Sequence, residues 1–214
     1  MADLSFEREE GFPALIVAGV DEVGRGCLAG PVVAAALIPP KDVDFKRDEW
    51  LAGITDSKLL TPAARDRLAP QLELWAHSYA IGVATVEEID RINIYHASHL
   101  AMRRALEGLN IKSARILVDG NVVPKGLPAP GRAVVKGDQK CLSIAAASII
   151  AKVWRDRRMD ELEREYPGYG FANHKGYATP EHQKALKELG PCKIHRTSFR
   201  PVREAMQNAQ ASLF

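Results

Sequence analysis

Leu15-Ile16-Val17-Ala18-Gly19-Val20-Asp21-Glu22-Val23-Gly24-Arg25-Gly26-Cys27-Leu28-Ala29-Gly30-Pro31 is the stretch on which the fold turns. Its apolar start reads as a buried strand, and two adjacent carboxylates follow at the strand's mouth. The next six residues, Gly24 to Ala29, fit the spacing of a dinucleotide-binding fingerprint, which requires a helix to begin at the turn. Instead Gly30-Pro31 arrives at once, and Val32-Val33-Ala34-Ala35-Ala36-Leu37-Ile38 continues as a second strand. A proline there would break a helix in its first turns. The segment is therefore a hairpin, and its acid pair stands beside a glycine-rich turn that carries a cation. Neighbouring carboxylates next to a buried strand are costly unless positive charge sits between them. That combination suits a metal-dependent site that handles phosphate.

Working outward, three apolar, β-branched runs at residues 14–20, 114–118 and 132–135 are each followed by an acid, namely Asp21, Asp119 and Asp138. Residues 32–38 and 77–83 complete five strands. Thr61-Pro62 opens a helix with a capping residue and proline at the first helical position. Residues 94–109 carry apolar side chains at helical spacing. Residues 142–166 begin rich in alanine and isoleucine and turn charged from Arg155, as a helix buried in its first half would. Two shorter helices follow Thr179-Pro180. The expected fold is α/β: a five-stranded mixed sheet with helices on both faces and a small C-terminal helical extension. Residues 1–214 are expected to form one domain, with 178–209 as the extension and 210–214 as a flexible tail.

A chain of 214 residues can bury one sizeable core. Its composition, 46% hydrophobic and 26% charged, is that of an ordinary globular protein, and no apolar run approaches the ~20 residues of a membrane span. The acidic N-terminus does not resemble a signal peptide. Three dispersed cysteines, Cys27, Cys141 and Cys192, make neither a disulfide framework nor a zinc knuckle, which suits a reducing cytoplasm. Net charge is only +2, yet Ala172 to Arg203 holds seven basic residues (Lys175, Lys184, Lys187, Lys193, Arg196, Arg200 and Arg203) against Glu181 and Glu188. That imbalance gains meaning if the acid site acts on a polyanion.

In open α/β sheets, sites form beyond the carboxyl ends of parallel strands. Asp21, Glu22, Asp119 and Asp138 are accordingly expected to converge. Four carboxylates so placed repel one another unless a hard cation joins them, and an all-oxygen set without histidine or thiolate points to Mg²⁺ or Mn²⁺. Two such ions would activate water and stabilise a leaving oxygen in phosphodiester cleavage. His96 and His99, three apart, suggest no third ligand, and His174 and His195 read as hydrogen-bonded structural histidines. Cys27, without a base partner, reads as a small packed residue.

The landmarks Gly19-Val20-Asp21-Glu22-Val23-Gly24-Arg25-Gly26, Asp56-Ser57-Lys58, Leu117-Val118-Asp119-Gly120 and Lys136-Gly137-Asp138 stand in order along the chain. Residues 144–153 (Ile-Ala-Ala-Ala-Ser-Ile-Ile-Ala-Lys-Val), His174-Lys175-Gly176-Tyr177 and His195-Arg196-Thr197-Ser198-Phe199 follow. Together they resemble ribonuclease HII over nearly the whole chain. The resemblance implies a ribonuclease H-like fold, hydrolysis of the RNA strand of RNA–DNA hybrids, and incision 5′ of single ribonucleotides in duplex DNA, leaving 3′-hydroxyl and 5′-phosphate ends. It places the catalytic acids at Asp21, Glu22, Asp119 and Asp138. Asp21, Glu22 and Asp119 would be metal ligands and Asp138 a ligand or metal-supporting group.

The same resemblance assigns Gly24, Arg25 and Gly26 to the loop that touches the ribose, Tyr177 to the ring that stacks under the sugar, and Lys58 to a phosphate contact. Glycines let the backbone approach a 2′-hydroxyl, the group that separates RNA from DNA. A catalytically silent hybrid-binding module and a metal-dependent exonuclease are the alternative readings. Gln210-Ala211-Ser212-Leu213-Phe214 resembles the peptide by which bacterial replication and repair proteins dock on the sliding clamp, with Gln210, Leu213 and Phe214 as its anchors. The protein is expected to act as a monomer, with no membrane partner.

Overall fold

The structure is a computed structural model that describes residues 2–211, with side chains to residue 207. Leu213, Phe214 and the side chain of Gln210, the expected clamp anchors, lie outside the described residues. The chain divides into two compact units. The first takes the N-terminal residues to Val23, then Val33–Val83 and His99–Val153; the second takes Gly24–Val32, Ala84–Ser98 and residues from Trp154 onward.

Elements run in the order α1 (Ser5–Glu9), β1 (Val17–Val23), β2 (Val32–Ile38), α2 (Pro62–Trp75), β3 (Ser78–Ala84), α3 (Val86–Glu107), β4 (Arg115–Asp119), β5 (Gly131–Val134), α4 (Leu142–Glu165), α5 (Phe171–His174), α6 (Pro180–Leu189) and α7 (Arg200–Ala211). Short 3₁₀ turns occupy Glu49–Gly53 and Gly137–Gln139.

In the first unit the five strands form one sheet in the order β3-β2-β1-β4-β5. β1 and β2 pair antiparallel as the hairpin reading requires, with Asp21 opposite Ala35 and Glu22 opposite Ala34. β1, β4 and β5 are parallel. β1 runs three residues past its expected end, because the hairpin keeps pairing it after its contact with β4 stops at Val20 and Val118.

Every residue of β2 is buried, so both of its faces are covered. Ala35, Leu37, Leu117 and Ile81 pack with α2 and the first half of α4. Alternation turns Gly82 to the opposite face, where a Cβ would lie 2.0 Å from the Ala101 carbonyl oxygen of α3. Helices thus cover both faces, as expected.

α2 starts as read from the sequence, with Pro62 at its first position and the Thr61 hydroxyl accepting the Ala64 amide at 3.2 Å. α3 starts earlier than expected. Thr85 and Glu88 form a reciprocal capping box, each amide donating to the other's side chain at 3.0 and 3.3 Å. The helix is then interrupted at Asn93 (φ 65°, ψ 165°), whose side chain caps the following turn through the His96 amide.

The second unit holds α5–α7, the Gly24–Val32 loop and the charged half of α4. Its core centres on Met159, Leu162, Tyr169 and Phe171, with Leu28, Leu186 and Val202 as a second cluster. Thr179 caps α6 by accepting the His182 amide at 3.3 Å.

Candidate active site

Asp21 and Gly19 lie two apart on β1 and so face the same side of the sheet. α4 crosses that side, and Gly19 is what lets it approach: a Cβ there would lie 2.4 Å from both the Ser143 carbonyl carbon and its Oγ. Two strand residues advance ~6.6 Å and five helical residues ~7.5 Å, so a helix seated at Ser143 brings Ser148 to Asp21. Ser148 indeed stands beside Asp21, where it favours the ionised carboxylate, and its hydroxyl donates to Ser57 Oγ at 2.9 Å.

Asp119 closes β4, and the Gly137 amide donates to its Oδ1 at 2.7 Å. Asp138 does not simply follow a strand. After β5 the backbone turns through Lys136 in the left-handed region (φ 57°), and the 3₁₀ turn brings Asp138 back beside Asp119. Carboxylate oxygens of Asp21, Asp119 and Asp138 all lie within 4.8 Å of one another. Glu22 is outside that trio but close to it: half-buried, with its amide donating to Asp21 Oδ1 at 2.7 Å.

The electrostatics follow from this crowding. Burial, then the Glu22 and Asp119 charges, push the Asp21 carboxyl well above the usual carboxylate range. Asp138 is pushed up to about 6, by burial first and then by Asp119 and Asp56. A divalent cation between these oxygens removes the penalty, and the all-oxygen donor set fits a hard ion.

Lys58 stands at the rim, its Nζ 3.9 Å from Asp138 and 4.0 Å from Asp56. Burial works against its charge, but Asp21, Asp56, Asp138 and Asp119 outweigh that and raise its pKa.

Asp56, Ser57 and Ser148 belong to the site although sequence reasoning gave them no role. Asp56 is buried beside Asp138 and accepts from the Gln139 side-chain Nε2 at 3.3 Å. Its signal was available, since it adjoins Lys58 in the Asp56-Ser57-Lys58 landmark. Ser148 carried only its place in an otherwise apolar run.

In the second unit Gly24 is buried while Arg25 and Gly26 are exposed, and Cys27 bridges to Tyr177. The main chain therefore brings the glycine loop and Tyr177 together, with the tyrosine 37% exposed. The basic C-terminal third is less free to meet a polyanion than its composition suggests. Arg196 is fully buried and Lys175 pairs with Asp160. His174 and His195 are buried and hydrogen-bonded, as expected. Among the described residues His96 and His99 join no cluster able to hold a metal, and the three cysteines are free thiols.

The family model for ribonuclease HII matches residues 18–202, a span that contains every one of these groups. The chain belongs to the ribonuclease HII family. It is 52% identical over 206 residues to the ribonuclease HII of Parvibaculum lavamentivorans, covering 96% of this chain and 74% of that one. It is also 52% identical over 191 residues to that of Nitrosococcus oceani, covering 89% and 92%. Among solved structures, ribonuclease H2 of Pyrococcus horikoshii superposes with a TM-score of 0.77 at 32% identity, covering 91% of this chain and 98% of that one. A PCNA complex of the Archaeoglobus fulgidus ribonuclease HII gives 0.65 at 26% identity, covering 87% and 96%. The sheet and its helices are the ribonuclease H-like fold of these relatives. A ribonuclease HII is an enzyme, a ribonuclease H that hydrolyses phosphodiesters as an endonuclease. No helix among the described residues is long and apolar enough to cross a membrane.

Proposed function

We propose that this ribonuclease HII is a Mg²⁺- or Mn²⁺-dependent endonuclease that cuts the RNA strand of RNA–DNA hybrids and incises 5′ of single ribonucleotides in duplex DNA. The products are 3′-hydroxyl and 5′-phosphate ends. The observation that carries this reading is the meeting of Asp21, Asp119 and Asp138 oxygens within 4.8 Å. Two divalent ions held there would supply the Lewis acidity that activates water and neutralises the departing 3′-oxygen.

The chain's own groups do the remaining work. Asp21, Glu22 and Asp119 hold the ions, and Asp138 ligates or supports them. The Glu22 and Gly137 amides fix the orientation of Asp21 and Asp119 by hydrogen bonding. Lys58, poised between Asp138 and solvent, contacts a phosphate of the substrate strand. Gly24, Arg25 and Gly26 touch the ribose and Tyr177 stacks beneath it, a pairing supported by the Cys27–Tyr177 bridge. A site that hydrogen-bonds a hydroxyl rejects the analogue lacking it by ~10⁴-fold, because its polar groups are left unpaired.

The deciding experiment is cleavage, with Mg²⁺ present, of an end-labelled duplex containing one internal ribonucleotide. An endonuclease gives two discrete products; a ladder identifies an exonuclease, and an intact duplex a silent binding module. We further propose that the protein acts as a cytoplasmic monomer and docks on the sliding clamp through Gln210, Leu213 and Phe214. The Archaeoglobus ribonuclease HII, solved with PCNA, supports the docking reading. Truncation after Ala209 should abolish binding to purified clamp while leaving cleavage of a short duplex unchanged; equal clamp binding by the truncated chain rejects the tail's role.

A further inference from the structure

Arg155 and Arg196 are, among the described residues, the largest side chains with no solvent exposure. Among the described residues, every hydrogen bond they donate goes to a main-chain carbonyl. Arg155 reaches Pro31 through Nε at 3.0 Å, Lys175 through Nη1 at 2.9 Å and Ala29 through Nη2 at 3.1 Å. Arg196 reaches Gly30 through Nε at 2.9 Å and Arg25 through Nη1 at 3.1 Å. Burying a guanidinium without a carboxylate partner is costly, and two of them converge on one loop. Four of the five carbonyls they hold belong to the segment from Arg25 to Pro31.

The same loop is tied by its backbone on both sides. The Leu28 amide donates to Gly176 at 2.8 Å, the Gly30 amide to Ile194 at 2.9 Å, and the Arg196 amide to Leu28 at 2.8 Å. Gly24 leaves room for the clamp: it takes φ +93°, and a Cβ there would sit 2.3 Å from Arg155 Nε.

The Arg25 carbonyl and the Gly26 amide belong to one trans, planar peptide unit, so they point in opposite directions. Arg196 draws that carbonyl inward. The Gly26 N–H must then face outward, where Gly26 is exposed and the space a Cβ would take is open for 4 Å. Among the described residues this amide donates to nothing.

We propose that Arg196 is a positioning residue for sugar recognition. By holding the Arg25 carbonyl, it turns the Gly26 amide into a fixed donor for a ribose 2′-hydroxyl. This rests on the reading of the Gly24–Gly26 loop given above and adds the residue that sets its geometry. The fork is essential, since it spans the Gly30 and Arg25 carbonyls together; a lysine keeps the charge but offers one point contact.

The test is the affinity of full-length wild type and Arg196→Lys for two duplexes of one sequence, one all-DNA and one with a single ribonucleotide. Fluorescence anisotropy in EDTA reads both without cleavage. In the variant the ribo/deoxy affinity ratio should fall about tenfold, the worth of one hydrogen bond, with all-DNA affinity held within about twofold. A merely structural role would weaken both affinities together, so an unchanged ratio overturns the inference.

If Arg196→Lys fails to fold, Phe199→Leu decides. The Phe199 ring lies 5.2 Å from the Arg196 guanidinium and is only partly buried. Loosening that support should lower the ratio by about threefold, a fraction of one hydrogen bond. A wild-type ratio in Phe199→Leu overturns the inference. A wild type that binds both duplexes equally overturns instead the loop's reading of ribose, on which the inference rests.

Discussion

His195 and His182 meet through their Nε2 atoms at 3.1 Å, so one ring must donate and the other accept. The backbone decides which. The Cys192 amide donates to His195 Nδ1 at 3.0 Å, which leaves the proton of His195 on Nε2. His182 Nε2 therefore accepts, and its Nδ1–H donates to the Tyr177 carbonyl at 2.8 Å. Both rings are neutral in this chain of bonds, and protonating either one breaks a link. Burial, reinforced by His182, lowers His195 to about 4; burial likewise lowers His182.

The sign of the resulting pH dependence follows directly. Between the ordinary value of 6.5 and about 4, the unfolded chain takes up a proton that folded His195 refuses. The contribution of this residue is complete above pH 6.5 and falls as pH drops through that window, by up to ~3 kcal/mol. Urea midpoints at pH 7 and pH 4.5 should therefore converge between wild type and His195→Gln; a constant gap would refute the neutral relay.

Asp21→Asn and Asp119→Asn should each cost at least ~100-fold in cleavage while leaving the fold intact, since even groups behind a metal ligand are worth that much. In metal-free protein Asp21→Asn should be no less stable than wild type, because it removes a charge disfavoured by burial and by Glu22. Mn²⁺ should raise the wild-type melting temperature and leave that of Asp21→Asn nearly unmoved. Near-normal turnover in either variant refutes the metal site.

Gly19→Ala should destabilise the protein by ~1–3 kcal/mol, the usual cost of overpacking, because the new methyl meets main-chain atoms of Ser143. It should also lower turnover, since α4 must retreat and carry Ser148 away from Asp21. Denaturation and steady-state cleavage measured together test both; a stable, fully active variant contradicts the packing.

Glu7 is buried, with its Oε1 accepting the Ser143 amide and hydroxyl at 2.8 and 2.7 Å and its Oε2 unpartnered. Burial raises its pKa above 4.5. At low pH the residue is protonated in both states; as pH rises past 4.5 the unfolded chain ionises first and wild type loses stability. Glu7→Gln should therefore gain on wild type between pH 4 and pH 7, in paired urea titrations.

The hairpin and the expected acids Asp21, Glu22 and Asp119 were legible because each depends on local chemistry. Gly30-Pro31 forbids a helix, and apolar β-branched runs declare the strands that carry Asp21 and Asp119, although β1 continues past Asp21 to Val23. Asp138 was found for a partly different reason: a left-handed Lys136 and a 3₁₀ turn, not the strand end, return it to the site. What stayed hidden depends on partners far along the chain. Arg196 counts as surface charge in any composition window, yet its partners are carbonyls some 170 residues earlier. Asp56 looks like a turn residue until Asp138 folds onto it. The early start of α3 was readable, since Thr85 and Glu88 have capping-box spacing, but its polar first turn lacks the apolar rhythm by which the rest was recognised.

The Glu7–Ser143 tie joins residues 136 apart. On the ribosome, at ~5–20 residues per second, α1 must wait on the order of ten seconds or more before its partner emerges. During that interval Leu4 and Phe12, buried in the finished protein, lack the α4 residues of the core they join. The N-terminus is therefore fastened through Glu7 only after the start of α4 has been translated, a late step in biogenesis.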